Sequence, residues 1–488
     1  MRVLYITAEL YPWVKSGGLG DVAAALPPAL IEEGIDVRLL LPGFGGLLDA
    51  FPGISDVVRL TTPFAGERVR VGLARLPGTE RLAYLVDHPA FYDRPGGPYA
   101  GLDGSDWPDN HRRFGLFGWI AAELARGTDP GWRPDILHGH DWHTGLAPAY
   151  LAARRAADGH VATVFTVHNL GYRGPFPGTV FPELALPSEF LSIDGVEFFG
   201  MVSFIKAGLF YSDRLTTVSP SYAREIQTPA LGWGLDGLLR ARAGVLTGIL
   251  NGVDTRVWDP RHDAILPRPY EPANAVAGKQ MAKAGLQRRL GLEPIEAAPL
   301  FGVVSRLTPQ KGLDLMLAVL PDLAAGGGQL ALLGAGDGDL EHAFTAAAER
   351  HRGQVAAVIG YDESLAHLIY AGADIVLVPS RFEPCGLTQL YALRYGALPL
   401  VRRVGGLADT VVDATATNLA DGIATGFAFD DDSPSALMSA IGRARALFRE
   451  REIWQRMMRR AMTRDFSWAA AARQYAAIYR SLRPDSMP

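Results

Sequence analysis

The chain has 488 residues, 48% of them hydrophobic and 20% charged, with 47 lysines and arginines against 52 aspartates and glutamates for a formal charge of −5. That length exceeds what one hydrophobic core usually spans and implies two domains of roughly 200–250 residues. The near balance of charge supplies no cationic field for a nucleic acid or an anionic membrane surface, and the single cysteine, Cys385, rules out an internal disulfide or a multi-cysteine metal centre.

The first apolar run, Val3 to Ala8, is too short for a signal segment or a membrane span, so a cytoplasmic protein is expected. Val3–Thr7 reads as a buried strand, Asp21–Glu33 as a helix and Val37–Leu41 as the next strand. Further strands are expected at Leu82–Val86, Ile136–His138, Ala162–Val167 and Arg214–Val218. Residues 88–113, rich in glycine, proline and aromatics (Phe91, Tyr92, Tyr99, Trp107), read as a long functional loop. The pattern restarts with a strand at Leu300–Val304, a helix at Lys311–Leu320, and strands at Gln329–Leu333, Val355–Ile359 and Ile375–Val378. Short apolar runs alternating with amphipathic stretches are the signature of βα units and parallel sheets. The turn signal Asn251-Gly252-Val253-Asp254 sets the linker within Ile249–Pro260, hence domains 1–248 and 249–465, with a last helix in 466–482 expected to return to the first domain.

Two loops suit a phosphate. Lys15-Ser16-Gly17-Gly18-Leu19-Gly20 follows the first strand, and Arg306-Leu307-Thr308-Pro309-Gln310-Lys311-Gly312 follows the strand that opens the second half. Backbone amides at a helix start approach an anion closely, and a lysine or arginine adds charge. The plain alternative for Lys15 is a strand-to-helix turn with a solvated lysine, and the motif alone weighs the two equally. For Arg306 and Lys311 the alternative, a pair of surface cations, is weakened by the matching first loop. A dinucleotide enzyme would carry an acid at the end of the second strand to hold the ribose, whereas here Leu41-Pro42-Gly43 stands there. Gly334-Ala335-Gly336-Asp337-Gly338-Asp339 has its third glycine one place early and reads as a βα turn whose aspartates cap the next helix.

Polar strand ends complete the picture. His138-Gly139-His140-Asp141-Trp142-His143 and Thr166-Val167-His168-Asn169 close two strands, and ligands of open parallel sheets lie at the carboxyl ends of strands. Alternation puts His138 and His140 on one face with His143 beyond, which favours a polar active-site rim over zinc. Ser380-Arg381-Phe382-Glu383-Pro384-Cys385-Gly386-Leu387-Thr388 places a carboxylate beside a glycine turn and hydroxyls. Glu383 is suited either to sugar hydroxyls or positive charge at a reacting carbon, or to a plain helix start. Nothing in the spacing activates Cys385 as a nucleophile.

Together, Lys-x-Gly-Gly-Leu, His-Asp-Trp-His, His-Asn, Ser-Arg-Leu-x-x-Gln-Lys-Gly and Ser-Arg-Phe-Glu-Pro-Cys-Gly-Leu-Thr-Gln closely resemble bacterial glycogen synthases and plant starch synthases, from Met1 to the Phe466-Ser467-Trp468 helix. The resemblance implies a GT-B fold, two Rossmann-like doubly wound parallel-sheet domains facing across a deep cleft. It also implies transfer of glucose from ADP-glucose to the non-reducing end of an α-1,4-glucan such as glycogen or a maltooligosaccharide, with retention and with no metal or cofactor. By the same resemblance Lys15, Gly18, Arg306 and Lys311 hold the diphosphate, with Lys15 and the Arg306/Lys311 pair closing on it from opposite domains. Asp141, His168 and Asn169 contact the glucosyl group or the acceptor side, and Glu383, Cys385, Gly386, Leu387 and Thr388 hold the donor from the other domain. Tyr361 faces the adenine, Tyr99 and Asp21 complete the donor site, and Glu383, His168, Asp141, Arg306 and Lys311 form the catalytic set. Many retaining relatives carry a second glutamate eight residues after the first; here Tyr391 stands there, so Thr388 and Gln389 would meet ribose and phosphate differently. Other readings remain: a transferase using UDP-glucose or making sucrose or trehalose derivatives, and a catalytically silent glucan-binding protein, which would be expected to have lost Lys15, Arg306, Lys311 or Glu383.

Overall fold

The computed structural model describes residues 1–64, 66–154 and 161–483. The chain divides into two compact units, Met1–Gly252 together with the helix that begins at Trp468, and Val253–Ser467. Ile249–Gly252 thus stay with the first unit, and Phe466 and Ser467 with the second.

In the first unit the strands are β1 (Arg2–Ile6), β2 (Asp36–Pro42), β3 (Ser55–Thr61), β4 (Arg68–Arg75), β5 (Leu82–Asp87), β6 (Ile136–His140), β7 (Ala162–Val167), β8 (Pro175–Pro177), β9 (Glu197–Phe198), β10 (Met201–Ser203), β11 (Arg214–Thr217) and β12 (Leu246–Gly248). One sheet runs β12-β11-β7-β6-β1-β2-β5-β4-β3. It is parallel except where β4 meets β5 and β3. Val3–Ile6 and Ala162–Val167 are buried on both faces, as strands covered by helices on each side must be. Winding reverses between β1 and β6, because β1 pairs with β2 on one side and β6 on the other. A small antiparallel sheet, β8-β10-β9, sets Val202 and Phe176 against the core of this unit; its strands of two or three residues carry no periodic signal in the sequence.

The helix Trp468–Leu482 closes the first unit's core. Trp468, Ala471, Ala472, Tyr475, Ala476 and Tyr479 recur at helical spacing and are buried together with Val22, Leu26 and Leu30 of the helix Gly18–Glu32. Burying each of the three aromatic side chains contributes about 1.5–3 kcal/mol. The segment 88–113 differs from the long loop expected. Pro89–Tyr92 forms a helical turn with Phe91 and Tyr92 in the core, and the helix Asn110–Arg126 begins inside the segment. Arg113, fully buried, gathers the stretch by donating to the carbonyls of Phe91 (2.8 Å) and Pro98 (3.0 Å) and to Asn110 Oδ1 (2.7 Å).

The second unit carries β13 (Leu300–Val304), β14 (Gln329–Gly334), β15 (Val355–Ile359), β16 (Ile375–Val378), β17 (Leu398–Arg402) and β18 (Phe427–Phe429). They form an all-parallel sheet ordered β15-β14-β13-β16-β17-β18. This is the doubly wound nucleotide-fold order, with its reversal between β13 and β16. The helix expected over Lys311–Leu320 instead spans Leu313–Ala325, preceded by a tight turn at Pro309–Lys311. The cause is Gly312: its φ of 64° interrupts the helix, and a Cβ there would lie 2.1 Å from the Pro379 carbonyl oxygen.

Candidate active site

Each unit gathers polar side chains at its own winding reversal. In the first, the loop leaving β1 is organised by Glu9, which is buried. One carboxylate oxygen accepts the amides of Ser16 (2.8 Å) and Gly17 (3.1 Å), and the other accepts the Tyr99 hydroxyl (2.6 Å). These bonds fix the glycine turn so that Gly18 opens the helix Gly18–Glu32, where first-turn amides have no intrahelical partner and the helix dipole favours an anion. Lys15 is ion-paired with Asp21 at 2.8 Å, both side chains partly open to solvent, and its ammonium lies over the Tyr11 ring. Tyr99 stacks on His143, ring centroids 4.6 Å apart.

Across the reversal, β6 ends in a packed imidazole cluster. His138 is held at both nitrogens, by the Tyr479 hydroxyl (2.7 Å) and by Thr166 Oγ1 (2.7 Å). His140 stacks against Tyr5 and shares a hydrogen bond between its Nδ1 and His168 Nε2 at 2.9 Å. Burial pushes the pKa of His138, His143 and His168 down to about 3 and that of His140 well below the usual imidazole range, so the cluster is neutral. His140 Nε2 is buried with no protein partner among the described residues. An unpaired buried N–H is the less tolerated of the two tautomers, which places the His140 proton on Nδ1, donating to His168. His168 is thereby left with its own proton on Nδ1.

Asp141 follows with φ 56° and ψ −179°, a conformation rare for a residue with a side chain. Its Oδ1 accepts the amides of His168 (2.7 Å) and Asn169 (3.4 Å), tying the ends of β6 and β7 together. Burial raises its pKa to about 7; the two amides offset this only in part, and the nearby Glu9 charge adds to it. Asn169 Oδ1 in turn accepts the Gly171 amide at 2.9 Å.

In the second unit, the loops after β13 and β16 are laced together. Lys311 Nζ and the buried Glu383 carboxylate meet at 2.6 Å, and the same Glu383 oxygen accepts the Ser380 hydroxyl at 2.9 Å. The Arg381 amide donates to the Gln310 carbonyl (2.8 Å), its guanidinium donates to the Pro309 carbonyl (2.8 Å) and grips Asp314 through two 2.8 Å bonds. Cys385 is buried, and Gly406 passes so close that a Cβ there would sit 2.1 Å from the Cys385 carbonyl oxygen. The Gln389 amide donates to the carbonyls of Cys385 (3.0 Å) and Gly386 (2.8 Å), which sets the Gly386 turn at φ 74° ahead of the helix Thr388–Arg394. The cation, the carboxylate and the helix start therefore share the carboxyl edge where an α/β sheet of this order binds its ligand. Among the described residues no group of three or more His, Cys, Asp or Glu is placed to hold a metal ion.

Comparison with known proteins decides the family. Residues 2–241 match the profile of the starch synthase catalytic domain, and residues 292–459 that of the glycosyl transferases group 1. The glycogen synthase of Albidiferax ferrireducens is 55% identical over 499 residues, covering 99% of both chains, and that of Francisella tularensis subsp. novicida is 49% identical with the same coverage. The chain belongs to the glycogen synthase family. Among solved structures, the catalytic domain of starch synthase IV from Arabidopsis thaliana bound to ADP and acarbose superposes with a TM-score of 0.87 at 31% identity, covering 99% of each chain. A sucrose-phosphate synthase from Thermosynechococcus elongatus shares the fold alone, with a TM-score of 0.59 at 19% identity. The fold class is GT-B, with two Rossmann-like parallel-sheet domains, and the protein is a glycosyltransferase of the glycogen and starch synthase family.

For this glycogen synthase family member the expected site residues fall into two groups. Lys15, Gly18, Asp21, Tyr99, Asp141, His168 and Asn169 lie at the reversal of the first unit, with Lys15 and Asp21 paired to each other. Arg306, Lys311, Glu383, Cys385, Gly386 and Leu387 lie on the β13 and β16 loops of the second, and Thr388 opens the helix after the latter. Tyr361 follows β15, separated from the reversal by β14; it is 77% exposed and its hydroxyl donates to Glu363 at 2.8 Å. Asp337 accepts the amides of Asp339 and Leu340, so that glycine turn is a helix cap. Tyr391, at the position of the relatives' second glutamate, stacks on Trp258 with ring centroids 4.1 Å apart. Sequence reading missed Glu9 and Tyr479. A carboxylate directly after a buried strand and before a glycine loop was the available signal for Glu9; Tyr479 gave none.

Proposed function

We propose that this protein extends an α-1,4-glucan by transferring glucose from ADP-glucose to its non-reducing end with retention of configuration. The observation that carries the reading is the 2.6 Å contact of Lys311 with Glu383 at the β13/β16 reversal, in a protein whose starch synthase relative is described with ADP and acarbose. ADP is what remains of the donor after transfer. In the second unit Arg306 and Lys311 neutralise the diphosphate, while Glu383, Cys385, Gly386, Leu387 and Thr388 hold the glucosyl group and the phosphates, and Tyr361 meets the adenine. In the first unit the Lys15–Gly18 turn, Asp21 and Tyr99 serve the donor, and Asp141, His168 and Asn169 the sugar or the acceptor.

The reaction follows from what the residues offer. The bond between the anomeric carbon and the phosphate oxygen breaks as the acceptor 4-hydroxyl adds from the same face. The departing phosphate takes the hydroxyl proton, and Arg306 and Lys311 stabilise the charge it gains. One preorganised donor at such a centre supplies about 3–4 kcal/mol of transition-state stabilisation. Incubation with labelled ADP-glucose and a maltooligosaccharide, followed by chain-length and linkage analysis, tests the function, with UDP-glucose as the competing donor. No chain growth, or growth only with UDP-glucose, would overturn it. A covalent glucosyl-aspartate or glucosyl-glutamate trapped on the natural donor would overturn the same-face step.

A further inference from the structure

We infer that Phe199 and Trp233 form an aromatic platform that holds a glucan chain beyond the His168–Asn169 rim; this rests on the function proposed above and extends its acceptor site. Phe199 and Gly200 form the two-residue turn between β9 and β10, with φ of 52° and 79°. Turns with both central residues at positive φ favour asparagine, aspartate and glycine. A phenylalanine there is strained, and at 82% exposure, with only an edge contact to the Phe198 ring, it buries little in return. Trp233-Gly234 repeats the arrangement, with φ of 53° and 84° and Trp233 39% exposed. Two large rings thus stand on left-handed backbone, and for Phe199 neither hydrophobic burial nor turn chemistry accounts for it, a pattern that concentrates at ligand sites.

The rings belong to one surface. A Cβ on Gly234 would lie 3.2 Å from atoms of both Phe198 and Phe199. Arg173 reaches over the rings of Phe198 (6.0 Å) and Trp233 (5.6 Å) and donates to the Trp233 carbonyl (3.3 Å). The surface is continuous with the rim already described. Asn169 Oδ1 holds the Gly171 amide at 2.9 Å, and a Cβ on Gly171 would lie 3.9 Å from the Trp233 ring. A glucose ring presents polarised axial C–H bonds on its flat faces, which suit the negative face of an aromatic ring, and an edge of hydroxyls, which suit a guanidinium. A neutral chain of stacked sugars fits a patch of aromatic rings served by one cation.

The test uses F199N and the double variant F199N/W233N, because asparagine tolerates positive φ and keeps both turns. Glycogen and maltoheptaose binding is read by affinity electrophoresis, alongside thermal midpoint, sedimentation and steady-state kinetics. Expected are a thermal midpoint for F199N equal to or above that of the unmodified protein, a folded double variant with glycogen affinity about tenfold weaker, and an unchanged KM for ADP-glucose. Unchanged glycogen affinity in the folded double variant overturns the proposal. So does a change in sedimentation with glucan binding intact, which would make the patch a contact between copies or with another protein. Glycogen binding that depends on Phe199, in a protein that transfers nothing from ADP-glucose, would sink the proposed function and leave the platform standing.

Discussion

Replacing Asp141 with asparagine separates what this residue does for stability from what it does for the reaction. Folding lifts its pKa to about 7 from about 3.9 in an unfolded chain. Between those values the folded carboxyl keeps its proton while the unfolded one releases it, so stability falls as pH rises through the window and the penalty is absent below it. The penalty is about 1.5 kcal/mol at pH 5 and about 4 kcal/mol at pH 8. Asparagine does not ionise, keeps an oxygen to accept the His168 amide that now lies 2.7 Å from Asp141 Oδ1, and matches aspartate in shape, so the strain of the backbone at φ 56° and ψ −179° is common to both proteins. Its added NH2 group costs about 1–3 kcal/mol if buried without an acceptor, but that cost does not change with pH. The stability of D141N relative to the unmodified protein should therefore rise by about 2–3 kcal/mol between pH 5 and pH 8, while turnover falls. Urea titrations of both proteins across that range measure the difference. A gap that does not change with pH would refute a buried carboxyl charged against its surroundings.

Arg306→Ala should lower turnover about 10²–10³-fold with little change in the KM for the glucan; unchanged turnover would remove Arg306 from the reaction. Lys311→Ala leaves the buried Glu383 without the partner now at 2.6 Å and should destabilise the second unit by about 3–5 kcal/mol. Adding E383Q should recover part of that loss, and strictly additive urea midpoints would show that the pair is not coupled. Tyr479→Phe removes the hydroxyl 2.7 Å from His138 Nδ1 and should cost about 1–3 kcal/mol. It should also speed hydrogen exchange at the ends of β6 and β7, and an unaltered exchange pattern would show that the last helix does not brace them.

Much of this organisation is written in local sequence. The buried strands β1, β13 and β16 announce themselves as short apolar runs, and the loops bearing Lys15, Arg306 and Glu383 follow them directly, because a parallel sheet delivers its loops to one edge. What escaped reading depends on residues distant in the chain. Glu9 draws its role from Tyr99, 90 positions away, and His138 is fixed by Tyr479, 341 positions away. The left-handed turn at Gly312 displaced the expected helix, and the Pro379 carbonyl that leaves no room there for a side chain is brought near only by the folded second unit. Arg113 looks like a surface charge, yet it is buried to collect carbonyls from a stretch that reads as irregular. The left-handed backbone at Asp141 has no signature in composition at all.

The placement of the last helix carries a consequence for how the molecule is made. Val253 and Ser467, the first and last residues of the second unit, are bridged, and the Val253 amide donates to the Phe466 carbonyl at 2.7 Å. The second unit is therefore an insertion whose ends close on themselves, so its own fold needs nothing from outside Val253–Ser467. The first unit is the opposite case, because Trp468, Tyr475 and Tyr479 of its core lie beyond the whole insertion in the chain. Its core is complete only when the last helix docks, and a chain cut after Ser467 would leave Val22, Leu26 and Leu30 uncovered. By bringing its two ends together, the folded insertion also spares the outer domain most of the entropy of closing so long a loop.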